Sequence, residues 1–94
     1  MTKMSVKIKI PKYLQSKTNG DVTAEVEGST LGKSIEALIR QYPDLKGEIL
    51  DSKGIILLKW MIYINNKNVP SPDKLSDPVK DGDIIALFPL IAGG

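Results

Sequence analysis

The two residues best suited to covalent chemistry are Gly93 and Gly94, which follow an apolar stretch with no serine-rich linker between. Glycine has no side chain, so this strip of backbone is thin enough to enter a narrow channel in another protein. For the same reason, the carboxyl carbon of Gly94 is unshielded from attack. Each glycine loses more backbone entropy on folding than any other residue and has no side chain to pack, so the pair does not stabilise the fold. Their position therefore indicates acyl chemistry at a chain end, and the alternatives are chance and an artificial end of the chain.

Several other kinds of chemistry are excluded by composition, because the chain contains no cysteine and no histidine. It has no disulfide framework, no zinc site built from those residues and no thiol nucleophile. It also lacks every hydrolytic pair in which histidine activates serine or cysteine.

The bulk composition predicts one folded domain over residues 1–94, with residues 89–94 as an extended C-terminal tail. Hydrophobic residues make up 41% and charged residues 26% of the 94 residues, which is typical of a soluble globular chain. The longest apolar run, Ile55 to Ile64, is far shorter than the roughly 20 residues that cross a bilayer. No apolar signal segment follows the first residues. We therefore expect a cytoplasmic protein that does not contact a membrane.

Thirteen basic and eleven acidic residues give a net charge of +2, too small to indicate nucleic-acid binding by itself. The basic residues are nevertheless uneven along the chain. Five lysines precede the first acidic residue, and no aromatic residues are interleaved to stack on bases. A solvated basic strand face is favoured over RNA binding for this set: Lys3, Lys7, Lys9, Lys12 and Lys17.

The elements that must position Gly93 and Gly94 are a sheet and one helix. Alternating apolar residues predict strands over residues 5–10 and 22–27, joined through the turn residues Asn19 and Gly20 into an antiparallel hairpin. Apolar residues at helical spacing then predict a helix from Leu31 to Tyr42, capped by Ser29 or Thr30 and ended by Pro43.

The sequence of the second half of the chain predicts two further strands. A short helical turn is expected around Glu48 to Leu50, and a long strand over Ile55 to Ile64, followed by a tight turn over Asn65 to Asn68. Leu75 and Val79 are expected to pack into the core, before a last strand from Ile84 to Phe88. The fold class is α+β, a mixed sheet of four to five strands packed on one main helix.

Several motifs in this order resemble the ThiS/MoaD family of sulfur carriers, which are β-grasp proteins related to ubiquitin. The resemblance covers nearly the whole chain. Its most specific part is an Asp-Gly-Asp turn one strand before a Pro-x-x-Ala-Gly-Gly end. The matching segments are Thr30-Leu31, Tyr42-Pro43, Asp81-Gly82-Asp83, Phe88-Pro89 and Ala92-Gly93-Gly94.

The resemblance implies a role as a sulfur-carrying substrate rather than an enzyme. A ubiquitin-activating-like enzyme would use Mg·ATP to adenylate Gly94, and sulfur would then displace the adenylate to leave a thiocarboxylate. The carrier itself would bind no cofactor and no metal. Gly93 and Ala92 would thread the partner's channel, and the residues that dock on partners would be Phe88, Pro89, Leu90 and Ile91. Phe88 could instead belong to the core of the last strand.

The sequence does not decide which type of carrier within this family the chain resembles most. Residues 44–60 supply a segment that the short thiamine-type carriers lack. Leu90 stands where molybdopterin-type carriers commonly have a second proline. Similarity extends equally to the carrier that feeds a cysteine synthase, so the sulfur acceptor would be that enzyme or the molybdopterin synthase large subunit. The alternatives are a ubiquitin-like modifier conjugated through Gly94 and a noncovalent β-grasp interaction module.

Overall fold

The computed structural model describes residues 5–57, 59–69, 75 and 77–89, which form five strands, one α-helix and two short 3-10 helices. In this part of the chain no helix has the length and apolar character needed to cross a membrane. The strands are β1 (Ser5–Lys9), β2 (Thr23–Glu27), β3 (Trp60–Ile64), β4 (Lys67–Asn68) and β5 (Ile84–Pro89), the α-helix is α1 (Leu31–Gln41), and the 3-10 helices are Lys12–Lys17 and Pro43–Leu45.

The strands form one mixed sheet in the order β2-β1-β5-β3-β4. β1 runs parallel to β5, whereas the pairs β1–β2, β3–β5 and β3–β4 are antiparallel. This confirms the predicted mixed sheet packed on one helix. The last strand in sequence is central in space, so the chain approaches its final residues from the middle of the sheet.

The N-terminal hairpin is confirmed, with Val6 opposite Val26 and Ile8 opposite Ala24 on the buried face. Its turn uses the predicted pair, because Asn19 and Gly20 have φ angles of 57° and 85°, the region that these two residues tolerate. The 3-10 helix Lys12–Lys17, which the sequence pattern did not predict, fills the long connection between β1 and β2.

α1 begins where expected, and Thr30 rather than Ser29 is its cap. The side chain of Thr30 accepts a hydrogen bond of 3.1 Å from the Lys33 amide, which satisfies one of the unpaired donors of the first turn. Leu31, Ile35 and Leu38 are fully buried against the sheet. The helix ends at Gln41, just before Pro43.

The predicted strand from Ile55 to Ile64 is wrong in its first half, since β3 begins only at Trp60. Residues 50–56 instead close a loop, in which Leu50 bridges Ile56 and the Asp51 amide donates to the Ile55 carbonyl at 2.7 Å. Backbone groups used in this loop are not available to pair with the sheet. β-branched composition alone could not distinguish the two outcomes.

Two local predictions between α1 and β4 have different outcomes. The short helix is at Pro43–Leu45 and not around Glu48 to Leu50, because Pro43 suits a first helical position and Leu45 anchors the turn in the core. The tight turn is confirmed at Asn65 and Asn66, which have φ angles of 52° and 69°, and β4 starts directly after it.

The Asp-Gly-Asp turn sets the start of β5 through side-chain hydrogen bonds. Asp81 Oδ1 accepts from the Ser5 amide at 2.9 Å, which joins the turn to β1. Asp83 Oδ1 accepts from Asn65 Nδ2 at 2.9 Å, while Asn65 Oδ1 accepts from the Ile84 amide at 2.9 Å. The bond from Asn65 lowers the pKa of the Asp83 carboxyl. The turn is therefore joined to β1 through Asp81, and Asn65, which follows β3, is joined to Asp83 and to the first residue of β5.

Candidate functional site

The candidate site begins at the end of β5, where Phe88 and Pro89 are the last residues that the structure describes. Pro89 still belongs to the strand, opposite Trp60 of β3. The remaining predicted site residues lie outside the described residues, so their roles stay predictions: Leu90, Ile91, Ala92, Gly93 and Gly94.

Within the described residues, the end of β5 has a neighbouring strand on one side only. β1 pairs with β5 as far as Lys9, which is opposite Ala86, and the chain then leaves the sheet at Pro11. β3 pairs with β5 through to Pro89. Because proline has no amide hydrogen, it is poorly suited to continue a hydrogen-bonded ladder. Pro89, the first residue of the predicted tail 89–94, is therefore still paired in the sheet, and it is the last residue of β5 that the structure describes.

Phe88 lies on the outer face of the sheet, opposite the face that packs on α1. Ile85 and Leu87 point into the core and are at most 2% exposed, whereas Phe88 is 51% exposed. The alternative that Phe88 is a core residue is therefore wrong, because side chains alternate between the faces of a strand and Leu87 takes the inner one. The exposed position is compatible with docking.

Two residues of β3 support Phe88 and were missed by the sequence prediction. Tyr63 meets it edge to face, with ring centroids 5.4 Å apart and ring planes at 85°, an arrangement that aromatic pairs favour. Met61 is directly opposite Phe88 across the strand pair. Alternation within β3 is the signal that could have found them, because Trp60 and Ile62 are buried and the intervening positions face outward.

These side chains belong to a larger apolar surface, here called the outer patch. Ile84 is 38% exposed at the start of β5, and the small residue Ala86 lies between it and Phe88. Lys7 and Lys9 border the patch from β1, opposite Ile84 and Ala86. Ala86 itself is buried, so the exposed apolar surface comes from Ile84 and Phe88, with half-buried Met61 and Tyr63 beside them, and apolar surface of this kind marks interaction sites. The outer patch consists of Met61, Tyr63, Ile84, Ala86 and Phe88.

A second groove lies between α1 and the loop that follows it, where half-buried Ile39 and Leu50 adjoin exposed Arg40 and Lys46. None of its lining residues belongs to β5. It is therefore separate from the candidate site.

The described part of the site offers surfaces for recognition. Phe88 and Met61 supply aromatic and aliphatic contact area, and Lys7 and Lys9 supply positive charge at the border. Among the residues that the structure describes, no group of three or more acidic side chains is placed to hold a metal ion. This combination suits the binding of another protein through an apolar centre and a charged rim.

Comparison with known proteins gives consistent matches over most of the chain. The model of the ThiS family matches residues 8–94. The sulfur carrier protein CysO of Mycobacterium tuberculosis (strain ATCC 25618 / H37Rv) is 31% identical over 93 residues, which cover 97% of this chain and 100% of that protein.

Two solved structures share the fold closely. A chain in the crystal structure of the Amycolatopsis orientalis BexX/CysO complex has a TM-score of 0.83 and 28% identity, covering 95% of this chain and 99% of its own. The solution structure of small archaeal modifier protein 1 from Methanosarcina acetivorans has a TM-score of 0.81 and 27% identity, with 100% of both chains covered.

Proposed function

The chain belongs to the ThiS family of ubiquitin-like sulfur carrier proteins, and we propose that Gly94 is the residue that carries the sulfur. The Gly94 carboxylate attacks the α-phosphorus of ATP and releases pyrophosphate, which leaves an acyl-adenylate. Hydrosulfide then attacks the acyl carbon and AMP departs, which leaves a thiocarboxylate. Activation is needed because the ionised carboxyl, with a usual pKa of about 3.3 to 3.7, is a poor electrophile at neutral pH.

The observation that carries this proposal is the position of β5. A central strand ends beside an exposed Phe88 and an apolar outer patch, and the residues that follow it are predicted to be a thin apolar strip. A partner that binds the patch is thereby brought next to the strip. In this proposal Phe88, Pro89, Leu90 and Ile91 contact the partner, and Ala92 and Gly93 pass through its channel.

Two partners are proposed. One is a ubiquitin-activating-like adenylating enzyme, which holds the ATP and Mg²⁺, so the carrier binds no cofactor and performs no catalysis itself. The other is the sulfur acceptor. Similarity to CysO supports a carrier of the cysteine-biosynthesis type, and the molybdopterin synthase large subunit is the other acceptor considered. We propose that this exchange takes place in the cytoplasm and involves neither nucleic acid nor membrane.

Conjugation to other proteins uses the same activated Gly94, and similarity to a small archaeal modifier protein is the observation that keeps it as the second candidate. A modifier would transfer its acyl group to a lysine amine. Conjugates of higher mass in cell extracts, lost when Gly93 and Gly94 are deleted, would identify that activity.

The test is the intact mass of the untagged protein after incubation with Mg·ATP, a sulfide source and the cognate adenylating enzyme. We expect a gain equal to replacing one carboxyl oxygen by sulfur, located on Gly94 and absent without ATP. An unchanged mass, with the enzyme shown to be competent on another carrier, would refute the proposal.

A further inference from the structure

β2 is an edge strand of the sheet, since β1 is its only neighbouring strand among the described residues. Two hydrogen bonds made by β1 and its flanking residue show how the backbone groups are divided. The Ile10 amide donates to the Val22 carbonyl, just before β2, at 2.9 Å. The Lys7 amide donates in the other direction, to the Asp83 carbonyl just before β5, also at 2.9 Å. Alternate residues of β1 therefore bond towards β2 and towards β5.

The same alternation determines which backbone groups of β2 face away from the sheet. Bonded and non-bonded pairs alternate along an antiparallel ladder, so Ala24, opposite Ile8, lies at a bonded position. The amide and carbonyl groups of Thr23 and Glu25 consequently point outward. No backbone hydrogen bond joins them to another segment of the described chain. An edge of this kind is able to pair with one more strand.

The side chains on the outer face of this edge are acidic. Glu25 and Glu27 are exposed there, next to Thr23. On the β1 side, Lys7 lies opposite Glu25, and Ser5 Oγ donates to the Glu25 carboxylate at 2.9 Å. An added strand approaches from the opposite side and meets the two carboxylates. The β2 edge is defined here as the outward backbone groups of Thr23 and Glu25 with the side chains of Glu25 and Glu27.

Behind the β2 edge, a groove separates β2 from α1. Ala37, which is small and half-buried, belongs to its α1 wall. Successive side chains of an added strand point to opposite faces, so every second residue lies over the groove and the others lie beside the carboxylates. The groove is lined by Ser5, Glu25, Val26, Glu27, Ala37 and Gln41.

Charge selects the occupant of the β2 edge. When two β2 strands overlap fully in antiparallel register, Glu25 faces Glu25 of the second copy, and like charges directly opposite each other destabilise a strand pair. A lysine or arginine at the same position has the complementary charge. The edge therefore suits a basic strand better than a second copy of this chain.

We propose that the β2 edge binds an extended segment of another protein in which lysine or arginine alternates with small apolar residues. Its backbone pairs with Thr23 and Glu25, its basic side chains lie beside Glu25 and Glu27, and its apolar side chains contact Ala37. β1 separates this edge from β5. The inference goes beyond the proposed function, because this binding requires neither ATP nor an activated Gly94.

The first test measures amide hydrogen exchange by NMR on the full, unactivated chain. The probe is a peptide of alternating lysine and valine with blocked ends, about six residues long like a typical strand. We expect the Thr23 and Glu25 amides to exchange several-fold more slowly when the peptide is added. The Ala24 amide, which already bonds to β1, should change little. Unchanged exchange at Thr23 and Glu25 would overturn the proposal.

The second test separates the backbone contribution from the side chains. Thr23→Pro removes one outward amide at the first residue of β2, a position where a strand tolerates proline. We expect the Kd of the peptide to rise by roughly threefold to tenfold, as for the loss of one hydrogen bond. Thr23→Ala is the matched control, which keeps the amide and should keep the Kd. Equal Kd values for the two variants would refute strand pairing.

The third test concerns charge and leaves every backbone group in place. The double variant Glu25→Gln and Glu27→Gln should raise the Kd roughly threefold and reduce its salt dependence. A peptide of alternating glutamate and valine should not bind the wild-type chain, and equal binding of the two peptides would overturn the proposal. Slow exchange at Thr23 and Glu25 in a peptide-free dimer would identify a second copy as the occupant and overturn it as well.

Discussion

Leu87 and Phe88 allow the roles of packing and docking to be separated at neighbouring positions. Leu87 is 2% exposed on the inner face of β5, and Phe88 is 51% exposed on the outer face. Leu87→Ala removes buried side-chain volume from the core, and we expect the free energy of unfolding to fall by about 2 to 5 kcal/mol.

Phe88→Ala should lower the free energy of unfolding by less than Leu87→Ala does. Burying a whole phenylalanine side chain contributes about 1.5 to 3 kcal/mol, and about half of that applies to a side chain that is half exposed. Loss of the edge-to-face contact with Tyr63 adds about 0.5 to 1.5 kcal/mol. We therefore expect a loss of about 1 to 3 kcal/mol, which leaves a domain of typical stability almost fully folded.

Leu87→Ala should be the more damaging variant for stability, whereas Phe88→Ala should be the more damaging one for activation by the adenylating enzyme. If Phe88 is an anchor of the interface, its truncation costs at least about 2 kcal/mol of binding, or roughly 30-fold in KM for the adenylating enzyme. Leu87→Ala should keep a near-normal KM once the folded fraction is taken into account. Urea denaturation measures the stabilities, and pyrophosphate release measures KM.

Two results would refute this reasoning. One is equal destabilisation by the two variants, since it would mean that Phe88 packs in the core. The other is a normal KM for both Phe88→Ala and Leu90→Ala, which would show that the enzyme does not dock on the end of β5.

Three further predictions concern the chemistry of the end and the stability of the fold. Adding one residue after Gly94 should abolish thiocarboxylate formation without changing the thermal midpoint, because the reactive carboxyl then belongs to another residue; normal conversion by mass spectrometry would contradict the mechanism. Thr30→Ala should lower the free energy of unfolding by about 1 kcal/mol through loss of the helix cap, whereas Ser29→Ala should change it by less than about 0.5 kcal/mol, and equal effects in urea denaturation would refute the assignment of the cap. The hydrogen bond from Asn65 lowers the folded-state pKa of Asp83, so this carboxylate stabilises the fold above its unfolded pKa of about 3.9, and that contribution is lost as pH falls through the lower folded value. Asp83→Asn should flatten the pH dependence of stability in that acidic range, and an unchanged profile would show that the interaction contributes nothing.

Local chemistry explains why much of the fold could be predicted. The cap at Thr30 and the positive φ angles at Asn19 and Asn65 depend on one residue and its immediate neighbours along the chain. The alternation of apolar and polar residues in β1 and β2 indicates which side chains face the core, because successive side chains of a strand point to opposite faces of the sheet. The glycines at positions 93 and 94 indicated acyl chemistry for an equally local reason, the absence of a side chain.

Features that depend on distant partners were decided by the tertiary structure. Residues 55–57 have strand-like composition, yet their backbone groups close a loop with residues 49–51 instead of pairing in the sheet. The sequence of the last strand is compatible with Phe88 on either face of the sheet, and the structure decides between them because Leu87 occupies the core. The sequence also gives no signal that β1 and β5 end at different levels, with β1 paired as far as Lys9 and β5 continuing beyond Ala86 to Pro89. Such differences are set by the register between strands that are far apart in the chain. The pattern of a single strand indicates which of its side chains face the core, but not which residues of a distant strand lie opposite them.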